Sequence, residues 1–309
     1  MILTVTLNTA LDLTYRVRSL RPHASHRVSE VVERPGGKGV NVARVLAALG
    51  REVTVTGFAG GGTGRAIRDR LGGIPRLTDA LVPVAGASRR TIAVVDELSG
   101  DTTQLNEPGP PIAPAEWGAF LDRYEELLPS ASAVALCGSL PPGVPVGAYT
   151  NLVRAARSAG VPVLLDTSGE PLRRGVAARP DLIKPNADEL AELTGSHDPL
   201  RATQDARRRG AHAVVASFGA DGLLAVTPAG RWRATPPALV RGNPTGAGDS
   251  AVAGLLSGLI ENLPWPDRLA RAVALSAATV RAPAAGEFDP AVYEELRGTV
   301  AVTGVVSAA

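Results

Sequence analysis

Two hydrophobic periods take turns along this chain, one of about two residues and one of helical spacing. Ile2 to Leu7 is an alternating, β-branched run that predicts a first strand. Val28 to Glu33 alternates again, and from Val40 the apolar positions Val42, Val45, Leu46 and Leu49 keep helical spacing until Gly50 stops them. Val53 to Phe58 predicts a buried strand, followed by a glycine-rich turn from Gly60 to Gly64 and a short helix to Leu71. Two short strands, 88–96 and 102–106, come next with no helix between them. From Pro114 the rhythm is regular: helix 114–128, strand 133–136, helix 145–158, strand 161–166, strand 182–183, helices 188–193 and 200–208, and strand 213–217. Strands 222–226 and 232–235 and helices 247–261, 266–281 and 290–297 complete it.

Alternating β and α units imply an α/β protein with a mainly parallel sheet covered on both faces. Segments 12–33 and 88–106 carry strands without helices, so they are expected to pair as a small β-strand lid over the carboxyl edge of the sheet. No linker of disordered composition and no solenoid-period repeat interrupts the chain, and residues 1–309 are expected to form a single domain bearing that lid.

Composition removes several function classes. The 309 residues are 45% hydrophobic and 20% charged, as in soluble globular proteins. No apolar run approaches the roughly 18 residues of a membrane span, and the first residues lack the basic start of a signal peptide, so no membrane partner and a cytoplasmic location are expected. Cys137, the one cysteine, excludes an internal disulfide and reads as a small core residue. The four histidines show no metal-ligand spacing. A net charge of only +2, with no concentrated basic face and no interleaved aromatics, argues against nucleic acid. Of 32 basic residues only Lys38 and Lys184 are lysine. So strong a preference for arginine leaves lysine mainly where a compact ammonium is needed, and a phosphate is one such place.

The candidate chemistry centres on Asn243-Pro244-Thr245-Gly246-Ala247-Gly248-Asp249-Ser250, which runs into the apolar segment 251–260. Two glycines allow a tight turn into a helix whose first N–H groups converge on an anion. Asp249 stands in that first turn; it suits helix capping, and it equally suits a general base for a hydroxyl attacking phosphorus. Other polar residues fall just after predicted strands: Asp12, Gly138-Ser139, Asp166, Lys184-Pro185-Asn186 and Gly219. Ligands of parallel sheets bind at that edge. Neither a Walker A sequence nor a helix-opening G-x-G-x-x-G is present, which disfavours a P-loop kinase and a Rossmann-type oxidoreductase.

Gly36-Gly37-Lys38-Gly39-Val40-Asn41-Val42-Ala43 resembles the first signature of the ribokinase-like (PfkB) carbohydrate kinases, and Asn243 to Ser250 resembles the second. Asn106-Glu107-Pro108-Gly109-Pro110, Gly138 to Gly143, Asp166 to Gly169, Ile183 to Asn186 and Ser217 to Gly222 extend the likeness over nearly the whole chain. It is nearest to the branch holding 1-phosphofructokinase and tagatose-6-phosphate kinase. The stretch Asn8-Thr9-Ala10-Leu11-Asp12 departs from that branch in carrying Thr9 where proline is common.

The resemblance implies a ribokinase-like three-layer α/β/α fold and an ATP-dependent phosphosugar kinase. The first substrate it suggests is fructose 1-phosphate, giving fructose 1,6-bisphosphate. Tagatose 6-phosphate and fructose 6-phosphate are the rivals, and a non-catalytic sugar-phosphate sensor is the alternative of another class. Asp249 would be the base, and the Gly246, Ala247 and Gly248 amides would hold the transferring phosphoryl group. Asp12, Gly37, Asn41 and Ser139 would meet the sugar, with Arg27, Lys38 and Arg90 on its phosphate, unless those arginines are simply solvated charges. Lys184, Asn186, Ser217, Gly219 and Gly222 would line the nucleotide site, although Gly219 and Gly222 also suit a plain hairpin turn. Glu189, three residues after Asn186, would orient hydrated Mg²⁺, an ion that keeps several waters. The likeness also admits a monovalent cation and a homodimer through the lid.

Overall fold

A computed structural model describes all residues except 238, 239, 241, 283 and 306–309, so the last four residues of the expected single domain lie outside the description. Its elements follow the two periods closely. The chain begins with β1 (Ile2–Thr6), β2 (Ala10–Val17), β3 (Glu30–Gly36), α1 (Lys38–Ala48), β4 (Val53–Gly60), α2 (Gly61–Gly72), β5 (Leu77–Asp79) and β6 (Val82–Val84). It continues through β7 (Arg89–Asp96), β8 (Thr102–Asn106), α3 (Pro114–Leu127), β9 (Ala133–Cys137), α4 (Ala148–Ser158), β10 (Val163–Asp166), α5 (Gly169–Ala177) and β11 (Leu182–Ile183). The remainder is α6 (Ala187–Thr194), α7 (Pro199–Arg208), β12 (Ala213–Ser217), β13 (Leu223–Thr227), β14 (Gly230–Thr235), α8 (Ala247–Ile260), α9 (Trp265–Val280), α10 (Pro290–Leu296) and β15 (Ala301–Gly304).

The large sheet runs β15-β14-β13-β12-β11-β10-β9-β1-β4-β5, with β6 also paired to β4. From β12 to β5 every pairing is parallel, and β13, β14 and β15 add an antiparallel edge. Strand residues alternate between two cores. Ile2, Val53, Ala135 and Val215 face a core shared with α1, α8, α9 and α10, whereas Leu3, Leu136, Leu165 and Val214 face one built by α3 to α7. These are the three layers of an α/β/α sandwich. Helix α8 is apolar nearly all round because it lies between the sheet and α9, and its buried Ser250 hydroxyl is satisfied by Thr279 at 2.6 Å.

The second sheet, in the order β3-β2-β7-β8, is built from the segments expected to supply a lid. Pairing Asp12 with Arg34 and with Thr91 puts these three on one face, and Leu13, Ile92 and Leu105 on the other. Gln104, on the Asp12 face, donates to the Thr245 hydroxyl at 3.2 Å and so touches the loop before α8.

Several expectations need correction. The strand expected at 28–33 is β3, which starts two residues later and ends three residues later; helix 145–158 starts at Ala148; and β5, β6, β15 and α5 were not foreseen. Gly169, Pro171 and Gly175 obscure α5 in the sequence. Its reason is tertiary: a side chain at Gly175 would come within 2.5 Å of Leu165, so the glycine lets the helix settle on the sheet. Among the described residues no helix is long and apolar enough to cross a membrane.

Gly57 in β4 has φ of 142°, and a Cβ there would stand 1.9 Å from the Thr6 carbonyl oxygen of the paired β1. Gly57→Ala is therefore expected to lower the unfolding free energy by about 3 kcal/mol or more, because backbone must move in the middle of the sheet. Urea denaturation of the variant checks this, and a loss below about 1 kcal/mol would show that β1 and β4 can part without strain.

Candidate active site

Parallel strands deliver their carboxyl ends to one edge, and the register aligns them. Thr6 pairs with Cys137, Cys137 with Asp166, Leu165 with Ile183, and Ile183 with Val214. The residues that leave this edge are Asn8, Ser139, Asp166, Lys184 and Ser217. Asp166 is 1% exposed, and its Oδ1 meets both lysines of the chain, Lys38 Nζ at 3.4 Å and Lys184 Nζ at 3.7 Å. Lys184 is itself 4% exposed. Asp166, Glu189 and Asp249 raise the affinity of Lys38 for its proton despite burial, with Asp166 the largest contributor, so Lys38 is a cation throughout the physiological range.

Asp249 enters from the opposite side, in the first turn of α8. Gly246 caps that helix in the left-handed conformation at φ 84°, and a side chain there would press on Ala285 at 2.9 Å. Asn243 braces the same turn by accepting from the Thr245 N–H at 3.0 Å. Asp249 is 7% exposed, and its Oδ2 accepts from the Asn41 side chain at 2.9 Å. Burial pushes its pKa up to about 6, with Asp166 adding to the rise and Lys38, Asn41 and Lys184 opposing it. Lys184 Nζ lies 3.5 Å from where a side chain of Gly248 would stand, so its ammonium abuts the start of α8. Of the three expected amides, that of Ala247 is already given to the Pro244 carbonyl at 3.1 Å. Those of Gly246 and Gly248 have no acceptor among the described residues.

On the other flank, Asp12 packs against Gly36 from β2, and burial raises its pKa to about 6 against the pull of Arg89 and Thr91. Gly37 opens α1 with φ 96°, which turns the chain so that Lys38 and Asn41 both face the cluster. Asn8 donates to the Ser139 hydroxyl at 3.1 Å and ties that loop to β1. Asn8, Asn41 and Asp166 each retain a buried oxygen with no hydrogen-bond partner among the described residues, three acceptors around one end of the sheet. Such groups are costly unless a ligand or water satisfies them.

Asn186 and Glu189 form a reciprocal cap on α6, with Glu189 N–H donating to Asn186 Oδ1 at 2.8 Å and Asn186 N–H to Glu189 Oε2 at 2.9 Å. The other Glu189 oxygen stays 3.9 Å from Lys38 Nζ. No cluster of three or more His, Cys, Asp or Glu residues suited to enclosing a metal occurs among the described residues. Asp166 with its unpaired oxygen and Glu189 do fit an ion that keeps most of its waters. Ser217 sits beside Asn186 through a parallel bridge. Gly219 has open space around it, whereas Gly222 is explained by packing, since a Cβ there would meet the Ala234 carbonyl oxygen at 2.0 Å.

Two expected residues do not reach this cluster within one chain. Arg27 is exposed, and Arg90 is clasped by Glu107 at 2.8 Å on the face of the second sheet opposite Asp12. Arg27 lies in the exposed segment before β3, and for Arg90 strand alternation is the reason, bringing the neighbouring Arg89 to Asp12 instead. Asp166 was visible in sequence as a polar residue after a strand, but nothing there marked it as the partner of both lysines.

Known proteins share this fold and much of its sequence. Residues 4–291 match the family model described as pfkB family carbohydrate kinase. A 1-phosphofructokinase of Rhodobacter capsulatus is 40% identical over 284 residues, 89% of this chain and 90% of its own length. A possible 1-phosphofructokinase from Thermotoga maritima superposes with a TM-score of 0.89 at 28% identity, over 99% of this chain and 100% of that one. Phosphofructokinase-2 from Escherichia coli superposes over 96% of this chain and 98% of its own at 30% identity in two complexes. The TM-score is 0.88 for the complex with potassium and 0.85 for that with fructose-6-phosphate.

The raised pKa of Asp249 sets a testable sign. The fold favours its protonated form, so the stability this group contributes is complete below its ordinary value of 3.8 and is lost as pH rises through about 6. Asp249→Asn escapes that loss. The stability of the variant relative to wild type should rise by an amount on the order of 3 kcal/mol between pH 4 and pH 7 and then level off, as measured by urea denaturation across pH. A flat difference would mean that the carboxylate is solvated.

Proposed function

The chain belongs to the PfkB family of carbohydrate kinases and is a phosphotransferase with an alcohol group as acceptor, and on that premise we propose that it phosphorylates fructose 1-phosphate to fructose 1,6-bisphosphate. One observation carries the reading: a buried carboxylate at a helix start, held by Asn41, faces the chain's two lysines across free backbone amides. The preference for fructose 1-phosphate rests on the 40% identical relative of that name. A 6-phosphofructokinase is the second reading, supported by the fructose-6-phosphate complex of the Escherichia coli protein at 30% identity.

In the proposed mechanism Asp249 accepts the proton of the free primary hydroxyl as its oxygen attacks the γ-phosphorus of ATP. The bond from that phosphorus to the β,γ-bridging oxygen breaks, and ADP departs. Asn41 holds the carboxylate in place, and the Gly246 and Gly248 amides with Lys184 neutralise charge on the phosphoryl oxygens. Lys38, anchored by Asp166, meets phosphate from the sugar side. Asp12 and Asn41 offer acceptors to the sugar hydroxyls, so a sugar with the wrong pattern leaves them unpaired. Asp166 and Glu189 would orient Mg²⁺ through water, and that ion supplies neutralisation of phosphate charge when bound. Potassium, which the Escherichia coli relative binds, is proposed here as an activating cation.

The chain is proposed to act as one catalytic domain with the second sheet as its lid, excluding water when sugar is bound. The outer face of that sheet exposes Val31 (56%) and Leu105 (57%), which supports a homodimer through it. Arg90 stands on the same face, so this assembly is where Arg90 could meet a sugar phosphate. Leu105→Glu is expected to shift the protein to monomer in sedimentation velocity; an unchanged sedimentation coefficient would place the contact elsewhere.

ADP release should be fastest with fructose 1-phosphate among fructose 1-phosphate, fructose 6-phosphate, tagatose 6-phosphate, fructose and ribose. Asp249→Asn should lower kcat by about 10³-fold with ADP binding kept. In wild type, kcat/KM should fall tenfold per pH unit below about pH 6, where the base is protonated. Faster turnover of ribose than of any phosphosugar would overturn the substrate class, and sugar-phosphate binding without turnover would make the protein a sensor.

A further inference from the structure

A cavity of about 670 Å³ begins at Arg44, one turn along α1 from Asn41, and extends between the end of α1, α8, α9 and α10. That volume is typical of small-molecule sites, which run from roughly 300 to 1,000 Å³. Arg44, Arg51, Arg271 and Arg297 line it. Their charges are incompletely balanced. Glu287 Oε1 serves both Arg34 at 2.8 Å and Arg44 at 2.7 Å. Glu261 serves both Arg51 and Arg271, the latter through two bonds at 2.7 and 2.8 Å. Arg297 has Glu294 at 3.2 Å. The four guanidinium groups that line the cavity, with Arg34 just outside it, thus share three paired carboxylates, Glu287, Glu261 and Glu294, and only the more distant charge of Asp12 adds to these at Arg44.

Sharing one carboxylate between two arginines holds like charges together, and burial makes that costlier. Arg44 is only 8% exposed. The Nε of Arg51 is buried with no acceptor among the described residues. An anion supplied from solution would answer both the charge excess and the missing acceptor. We infer that this cavity is a second anion site, separate from Asp249, that takes a phosphate-bearing metabolite of at least two negative charges. Guanidinium forks at several angles suit the oxygens of such a group better than those of a single carboxylate.

The test is calorimetric titration with inorganic pyrophosphate of the wild type and of Lys184→Gln, Arg271→Gln, Arg51→Gln and Glu261→Gln. A binding event is expected that persists in Lys184→Gln and weakens at least tenfold in Arg271→Gln. Should Arg271→Gln fail to fold, Arg51→Gln is expected to weaken the event severalfold. Glu261→Gln adds to the positive excess and should tighten it severalfold, a direction that misfolding cannot imitate. Loss of all binding in Lys184→Gln would place the event at the sheet edge and overturn the proposal. So would unchanged binding in the arginine variants, or binding by Glu261→Gln no tighter than by wild type.

Discussion

The site depends on one buried carboxylate. Asp166 is nearly inaccessible, yet it carries the charge that lets two ammonium groups sit within 4 Å of the same oxygen. Without it, Lys38 and Lys184 would face one another with no counter-charge between them, and burial would favour the neutral form of Lys38. With it, Lys38 remains a cation, and the field of the two lysines lowers the cost of a second buried carboxylate, Asp249, on the far side. The balance is incomplete by design of the geometry: Asp249 stays near pKa 6, basic enough to take a proton and acidic enough to be ionised at neutral pH.

Two scaffolds hold this charge cluster. The parallel sheet supplies Asp166 and Lys184 from adjacent strands, so their separation is set by strand spacing rather than by loop conformation. Helices α1 and α8 supply Lys38, Asn41 and Asp249, and the Asn41 to Asp249 hydrogen bond joins the two helix starts directly. Two of the ties that join the second sheet to the main body reach the helix starts of the site. Gln104 reaches Thr245 in the loop before α8, and Arg34 shares Glu287 with Arg44 of α1. Arg44 also donates to the Ala285 carbonyl at 2.8 Å, and Ala285 backs Gly246. The loop that presents the free amides is therefore braced from both sides.

Much of this was legible in sequence because it is local or periodic. Alternation and helical spacing define most elements, the glycines before Asp249 require a tight turn into a helix, and a chain that uses arginine almost everywhere marks its two lysines as special. Other features depend on contacts between distant segments. Helix α5 can rest on the sheet because Gly175 fits against Leu165, and the close approach of β14 leaves no room for a side chain at Gly222. Sequence placed Arg90 near the sugar, but one residue of strand alternation turns it outward and brings Arg89 to Asp12.

What the sequence by itself determined, then, is the layered α/β order and the set of candidate reacting groups, since periodicity and residue chemistry are carried by each segment alone. The tertiary structure decided their energetics. Strand register and the placement of α1 bring Asp166 to both lysines, burial raises the pKa of Asp249 and Asp12, and the packing of α1, α8, α9 and α10 gathers four arginines around a cavity. Coulomb and desolvation terms depend on distances of a few ångströms between residues far apart in the chain, and no local pattern encodes those distances.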